Sequence, residues 1–214
     1  MLGAPWLKTF GAPRLKAATV CLVAALALSG CASDSQAEAL PPSSAARPST
    51  PPPTPVEPVT SAPLEFRTIN GAHFTLSVPG GWREVVTKPT EGTPGTWVYT
   101  QRSAPAATPI GVGIVVDDQP KADVFQQSMA LEIAKKVEEV KDFTRSEITW
   151  PGAEYAVVME WTEPTAGTKP VYRRTRQIMA QVNPGLIVNA VAVGEAKDFK
   201  DSDLLLALST FTPK

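Results

Sequence analysis

From residue 64 onward, apolar and polar positions alternate in short runs, the period of strands with one face on a core. LEFRTI (64–69) and HFTLSV (73–78) flank NGA, a hairpin turn signal. In the second run Phe74, Leu76 and Val78 share one face, and PGGW closes it with Trp82 placed to pack beneath the turn. TWVYTQR (96–102) and IGVGIVVD (110–117) form a second pair, joined by a loop rich in Ala and Pro. FTRSEITW (143–150), EYAVVMEWT (154–162), VYRRTRQIMAQV (171–182) and LIVNAVAV (186–193) then predict an antiparallel meander, each connection short enough for a hairpin. Tyr155, Val157, Met159 and Trp161 share one face by alternation.

One segment has a helical period. DVFQQSMALEIAKKVEEVK predicts a helix over 123–141, with Asp123 and Gln126 spaced as a capping box and Pro120 just outside. Phe125, Met129, Ile133, Val137 and Val140 form a single apolar stripe expected to lie on the sheet, with Glu132 and Lys136 as an i, i+4 pair on another side. A short helix over 202–211 aligns Leu204, Leu208 and Phe211. The expected architecture is α+β: an antiparallel β-sheet with one long and one short C-terminal helix packed on it, in a single domain of residues 64–214. That length suits one hydrophobic core.

The N-terminal third reads differently. Met1 to Lys16 carries Lys8, Arg14 and Lys16 and no acid, and Ala17 to Leu28 is 12 uncharged residues. A basic segment before an apolar run marks an export signal, and the run is short of the roughly 20 residues of a membrane span. Leu28, Ser29, Gly30 and Cys31 resemble the lipobox of bacterial lipoproteins. The resemblance implies cleavage after residue 30 and a thioether-linked diacylglycerol on Cys31, with further acylation such as palmitate. Cys21, the other of the two cysteines, lies within the signal 1–30, so the mature chain has no intramolecular disulfide. Several acyl chains on one residue hold a protein firmly at a bilayer. Residues 31–63 follow as a stalk. From Ala32 to Pro63 there are nine prolines and no aromatic residue, a composition that does not offset the entropy of ordering. The stalk reaches about 30 Å as a flexible coil and about 100 Å as extended polyproline.

Formal charge is −1, and losing the three basic residues of the signal takes the mature chain to −4. With no basic excess to displace counterions, nucleic acid is excluded as a partner. FTLSVPGGW, the helix after the second strand pair, YRRTRQIMAQVNPGLIVNAVAV and the final LLLALSTF resemble the PsbP/Mog1-like fold. With the lipobox and stalk, the chain is similar to the LpqN-like lipoproteins of actinobacteria. The resemblance implies a non-enzymatic envelope protein, associated with envelope biogenesis or with contacts beyond the cell, and brings no catalytic residues.

The chemistry-bearing residues give the same reading. The one histidine, His73, alternates with Thr75 and Ser77 away from the apolar face, and no GxSxG elbow accompanies it. One histidine and one lipidated cysteine do not make a zinc set, and Asp117 and Asp118 lack the spaced acidic loop of a calcium site. Gly111 and Gly113 sit within a strand, where close backbone packing or a bulge explains them better than phosphate binding. No metal or cofactor is called for. Two features are candidate binding surfaces. Arg174 and Arg176 share a strand face, with Arg173 on the other; the pair either grips the phosphate or carboxylate of an envelope component or pairs across strands with Glu160 or Glu163. Trp82, Trp97, Trp150 and Trp161 are either core or the lining of a sheet–helix cleft, for which Trp97, Met159 and Trp161 are the candidate ligand-binding residues. The expected function is a lipid-anchored, extracytoplasmic, non-catalytic protein that holds a lipid, glycolipid or other amphiphile as carrier or accessory factor. The alternative is a module docking on an envelope or host protein. Replacing Cys31 by Ala should move the protein from the membrane fraction to the medium; retention in the membrane fraction would refute the anchor.

Overall fold

A computed structural model describes residues 57–59, 61–88, 94–101, 110–165 and 170–214, all within one compact unit, Pro52–Lys214. The expected signal, Cys31 and most of the expected stalk lie outside the described residues. In chain order the elements are β1 (Phe66–Asn70), β2 (Phe74–Pro79), β3 (Arg83–Thr87), β4 (Gly95–Thr100), β5 (Gly111–Asp117), α1 (Val124–Val137), β6 (Lys141–Ile148), β7 (Tyr155–Pro164), β8 (Tyr172–Asn183), β9 (Leu186–Glu195), α2 (Asp203–Ser209) and β10 (Thr212–Pro213). The fold is α+β. Its strands divide into a seven-stranded antiparallel sheet, β3-β4-β5-β9-β8-β7-β6, and a three-stranded one, β1-β2-β10. The meander β6 to β9 is as the alternation predicts; β3 and β10 escape it, being short and, for β3, exposed on both faces.

The main core lies between the two sheets. Phe74, Leu76 and Val78 of β2 are fully buried against Val112 and Ile114 of β5, Ile178 of β8 and Ala190 of β9, with Leu204 and Leu208 of α2 and Phe211 just beyond it closing the core. Trp82 and Trp150 are buried here, and the Trp150 indole N–H donates to the Phe211 carbonyl at 3.0 Å. The compact unit takes in a little of the expected stalk, since the Val59 N–H donates to the Ser209 carbonyl at 2.9 Å. Among the described residues no helix is long and apolar enough to cross a membrane.

The other side of the large sheet carries α1. Its N-terminus is capped as expected: Asp123 accepts from the Gln126 N–H at 2.7 Å, and the Gln126 side chain takes the Asp123 N–H. The Glu132–Lys136 pair closes at 2.6 Å. The apolar stripe does not lie on the sheet. Phe125, Ile133 and Val137 are 50%, 60% and 79% exposed, while Val124, Ser128, Leu131 and Lys135 face inward; only Val140, beyond the helix, packs into the cluster beneath. The reason is polar. The Arg145 guanidinium donates to Ser128 Oγ at 3.0 Å, Lys135 pairs with Glu163 at 3.0 Å, and Gln181 Oε1 accepts the Val124 N–H at 3.2 Å. Turning the stripe inward would break all three and strand their charged partners against the sheet.

α1 ends four residues before its expected end, because β6 begins at Lys141. The stop is a Schellman motif: the Val140 N–H bonds the Lys135 carbonyl and the Glu139 N–H that of Lys136, both at 3.2 Å. Glu139 takes the left-handed position, φ 53°, that glycine fills without strain. Glu139→Gly is expected to stabilise the protein by about 1 kcal/mol, raising Tm by roughly 2–4 °C in a thermal scan; a lowered Tm would show that Glu139 earns its place by another contact.

Candidate functional site

The residues singled out from the sequence fall into three places. Trp97 lies on the α2 side of the large sheet, half-buried, its ring edge-on to Phe74 at 5.3 Å. Met159 and Trp161 lie on the α1 side, buried with Val157, Met179 and Ile187 beneath the helix. A single cleft lined by Trp97, Met159 and Trp161 does not exist, because odd-numbered residues of β4 and odd-numbered residues of β7 emerge on opposite faces of the same sheet. The crossings that set those faces, β4 to β5 to β9 to β8 to β7, depend on register that alternation within one strand does not carry.

Arg174 and Arg176 do share a face, and that face belongs to Glu160. Both guanidinium groups bond its carboxylate, one to each oxygen, and Glu160 and Arg176 are each 5% exposed. Glu160 stands opposite Arg176 on the paired strand. Arg173, on the α1 side, meets Glu163 at 3.6 Å. Both acids expected as cross-strand partners therefore take that role, and the arginine forks are engaged within the fold. A hollow of about 460 Å³ opens beside Arg176, between α2 and Val59, with Leu205, Leu206 and Ser209 in its wall. A smaller one, about 300 Å³, sits at the β6–β7 turn around Trp150 and Tyr155.

Glu163 also organises the α1 side. It accepts from the Lys135 ammonium and from the Trp161 indole N–H at 3.3 Å, and Lys135 stands 5.2 Å over the Trp161 ring. Burial works against the Lys135 charge, but the hydrogen bonds it donates to Glu138 and Glu163 outweigh it and hold its pKa above the ordinary lysine value.

Beyond this cluster the α1 side of the sheet continues over β9, β5 and β4. Register places Val191 and Val193 of β9 beside Gly113 and Gly111 of β5, and these beside Val98 and Thr100 of β4. The two glycines have no side chains, so they form a floor between two walls. Gly111 is also required by its neighbour, since a Cβ there would meet the Tyr99 carbonyl oxygen at 2.1 Å. The wall side chains are buried, with Val98, Val191 and Val193 exposed by only 6%, 2% and 3%, so the strip is a closed surface and not an open groove, and none of them belongs to the cluster under α1. At the border with α1, Thr175 Oγ1 and Asn189 Oδ1 are buried without a hydrogen-bond partner. Native interiors satisfy nearly all such atoms, so these two stand out beside the strip, as do Arg145, Tyr155, Thr162 and Arg173 elsewhere among the described residues. Single-strand alternation could flag Val98, Val191 and Val193 as core; only the register shows that glycines separate them.

No protein-family model matches the chain, and no curated protein matches it. Among solved structures it is similar to the cyanobacterial PsbP of Synechocystis, at 11% identity and a TM-score of 0.49, over 73% of this chain and 96% of that one. It is also similar to LpqN of Mycobacterium tuberculosis, a protein described as involved in cell envelope biogenesis, at 17% identity and a TM-score of 0.43, over 70% of this chain and 90% of that one. Function is argued from this chain's own residues.

His73 is half-buried at the start of β2, where its carbonyl accepts the Lys214 N–H at 3.0 Å. The Asp117 carboxylate accepts the Gln119 N–H at 3.2 Å, as a turn residue does. Among the described residues no three potential metal ligands cluster. The Glu160 centre generates a stability prediction. Glu160→Gln removes the carboxylate charge that Arg174 and Arg176 share between β7 and β8, and denaturant unfolding should show a loss of about 3–5 kcal/mol. A loss below about 1 kcal/mol would mean that the arginines are neutralised from another quarter.

Proposed function

We propose that this chain is a lipid-anchored, non-catalytic protein of the cell envelope that takes the apolar part of an amphiphile against the strip over Gly111 and Gly113 once the strip is uncovered. The observation that carries the reading is the pairing of an apolar, glycine-floored strip with two buried polar atoms that have no partner. Val98, Val191 and Val193 would take a hydrocarbon chain, and Thr175 Oγ1 and Asn189 Oδ1 hydroxyl or amide groups near its head. The lipobox at Cys31 and the proline-rich segment after it support the location, because a tethered domain works within reach of membrane lipids.

The alternative, a protein-docking module, is favoured by the outward stripe of α1, where Phe125, Ile133 and Val137 stand exposed in one row. Contiguous exposed apolar surface marks interaction sites.

Native mass spectrometry of the exported chain carrying Cys31→Ala, produced in an actinobacterial host, separates the two. The amphiphile reading expects discrete extra mass that dissociates as lipid. It further expects Gly113→Leu, which fills the floor, and Thr175→Val, which removes one orphan at little cost to folding, to reduce that mass severalfold. A bare mass from a correctly folded chain would overturn the reading in favour of docking through α1.

A further inference from the structure

The seven-stranded sheet ends on two edges, β6 and β3, and they are treated differently. β6 is guarded: its register slips between Lys141 and Thr144, Asp142 sits in the left-handed region at φ 55°, and Lys141, Asp142, Arg145 and Glu147 run along it. Bulges and charges are how edges are kept from pairing with other chains. β3 has no bulge, and its two charges, Arg83 and Glu84, are confined to its first two residues. Arg83–Thr87 pairs with β4 in unbroken register, contains no proline, and exposes an apolar side chain on each face, Val85 and Val86 both at 45%. A straight apolar edge is a template for strand addition.

The side chains of β3 also say which strand fits. Glu84 and Val86 stand opposite Tyr99 and Trp97 and so share a face, and Lys88, the next position in that alternation, is exposed. The Glu84 carboxylate is held at the edge by the Tyr99 hydroxyl at 3.3 Å. If a second β3 is laid antiparallel with Val86 opposite Val86 of the other copy, Glu84 falls opposite Lys88, Lys88 opposite Glu84, and Val85 opposite Thr87. Shifting the centre to Val85 sets Glu84 against Val86 and Lys88 against Trp82, leaving both charges unmatched. The segment is thus self-complementary in one twofold register, as an isologous interface must be.

We propose that β3 is an association edge through which two copies of this chain join their sheets, centred on Val86. The contact is short against the roughly 800 Å² per partner of a stable complex. The dimer is therefore weak in dilute solution and forms where copies anchored through Cys31 to one membrane raise each other's local concentration. The proposal does not depend on the strip over Gly111 and Gly113 or on a ligand there.

The register makes the test specific. In the exported chain carrying Cys31→Ala, Val86→Cys places two thiols across the twofold axis, where directly opposed strand residues lie within disulfide reach, whereas Val85→Cys faces Thr87. Under mild oxidation at high protein concentration, Val86→Cys should form a covalent dimer at least about tenfold faster than Val85→Cys. Sedimentation equilibrium should show a concentration-dependent dimer that Glu84→Lys weakens by about tenfold and Glu84→Lys with Lys88→Glu restores. Equal cross-linking of the two cysteine variants, a monomer at every concentration, or no recovery in the charge-swapped pair would each overturn the proposal.

Discussion

A seven-stranded sheet with apolar side chains on both faces has to be covered on both, and the rest of this structure follows from how unevenly that is done. On one side the three-stranded sheet and α2 supply a continuous core from Phe74 to Phe211. On the other, α1 is a single helix of 14 residues and packs over β6, β7 and β8. A helix is about 10 Å across, the width of two strand spacings, so it cannot shield a face seven strands wide. The strip over β5 lies outside what α1 covers.

The way α1 is fastened follows from the same shortage. Its contact with the sheet is as much polar as apolar: Arg145 to Ser128, Lys135 to Glu163, Gln181 to the first helical N–H. Directional contacts of this kind set the rotation of a helix about its axis more sharply than apolar burial, which tolerates repacking. With the rotation decided by those three contacts, Phe125, Ile133 and Val137 turn outward. The Glu160 centre on the opposite side serves the sheet in a comparable way, two guanidinium forks on one carboxylate tying β7 to β8 where the core gives out.

Much of this was legible in the residues. The β1–β2 hairpin, the β4–β5 pair, the meander, the capping box at Asp123 and the cross-strand role of Glu160 and Glu163 all rest on local signals, each decided within one strand pair or one helical turn. The failures share a cause. β3 was missed because REVVT, exposed on both faces, has no alternation to detect. The stripe on α1 was assigned to the wrong side because apolar periodicity identifies a face without showing what the sheet opposite offers. Trp97, Met159 and Trp161 were grouped as a cleft because each looked inward on its own strand.

Local chemistry along the chain therefore determined the elements, their caps and most of their pairings, since those depend on neighbours a few residues away. Only the tertiary structure decided which face of each strand meets which layer, which way α1 is turned, and that Gly111 and Gly113 lie between the valines of β4 and β9. Those outcomes depend on the register and order of strands distant in sequence, where one residue of slip exchanges inside for outside.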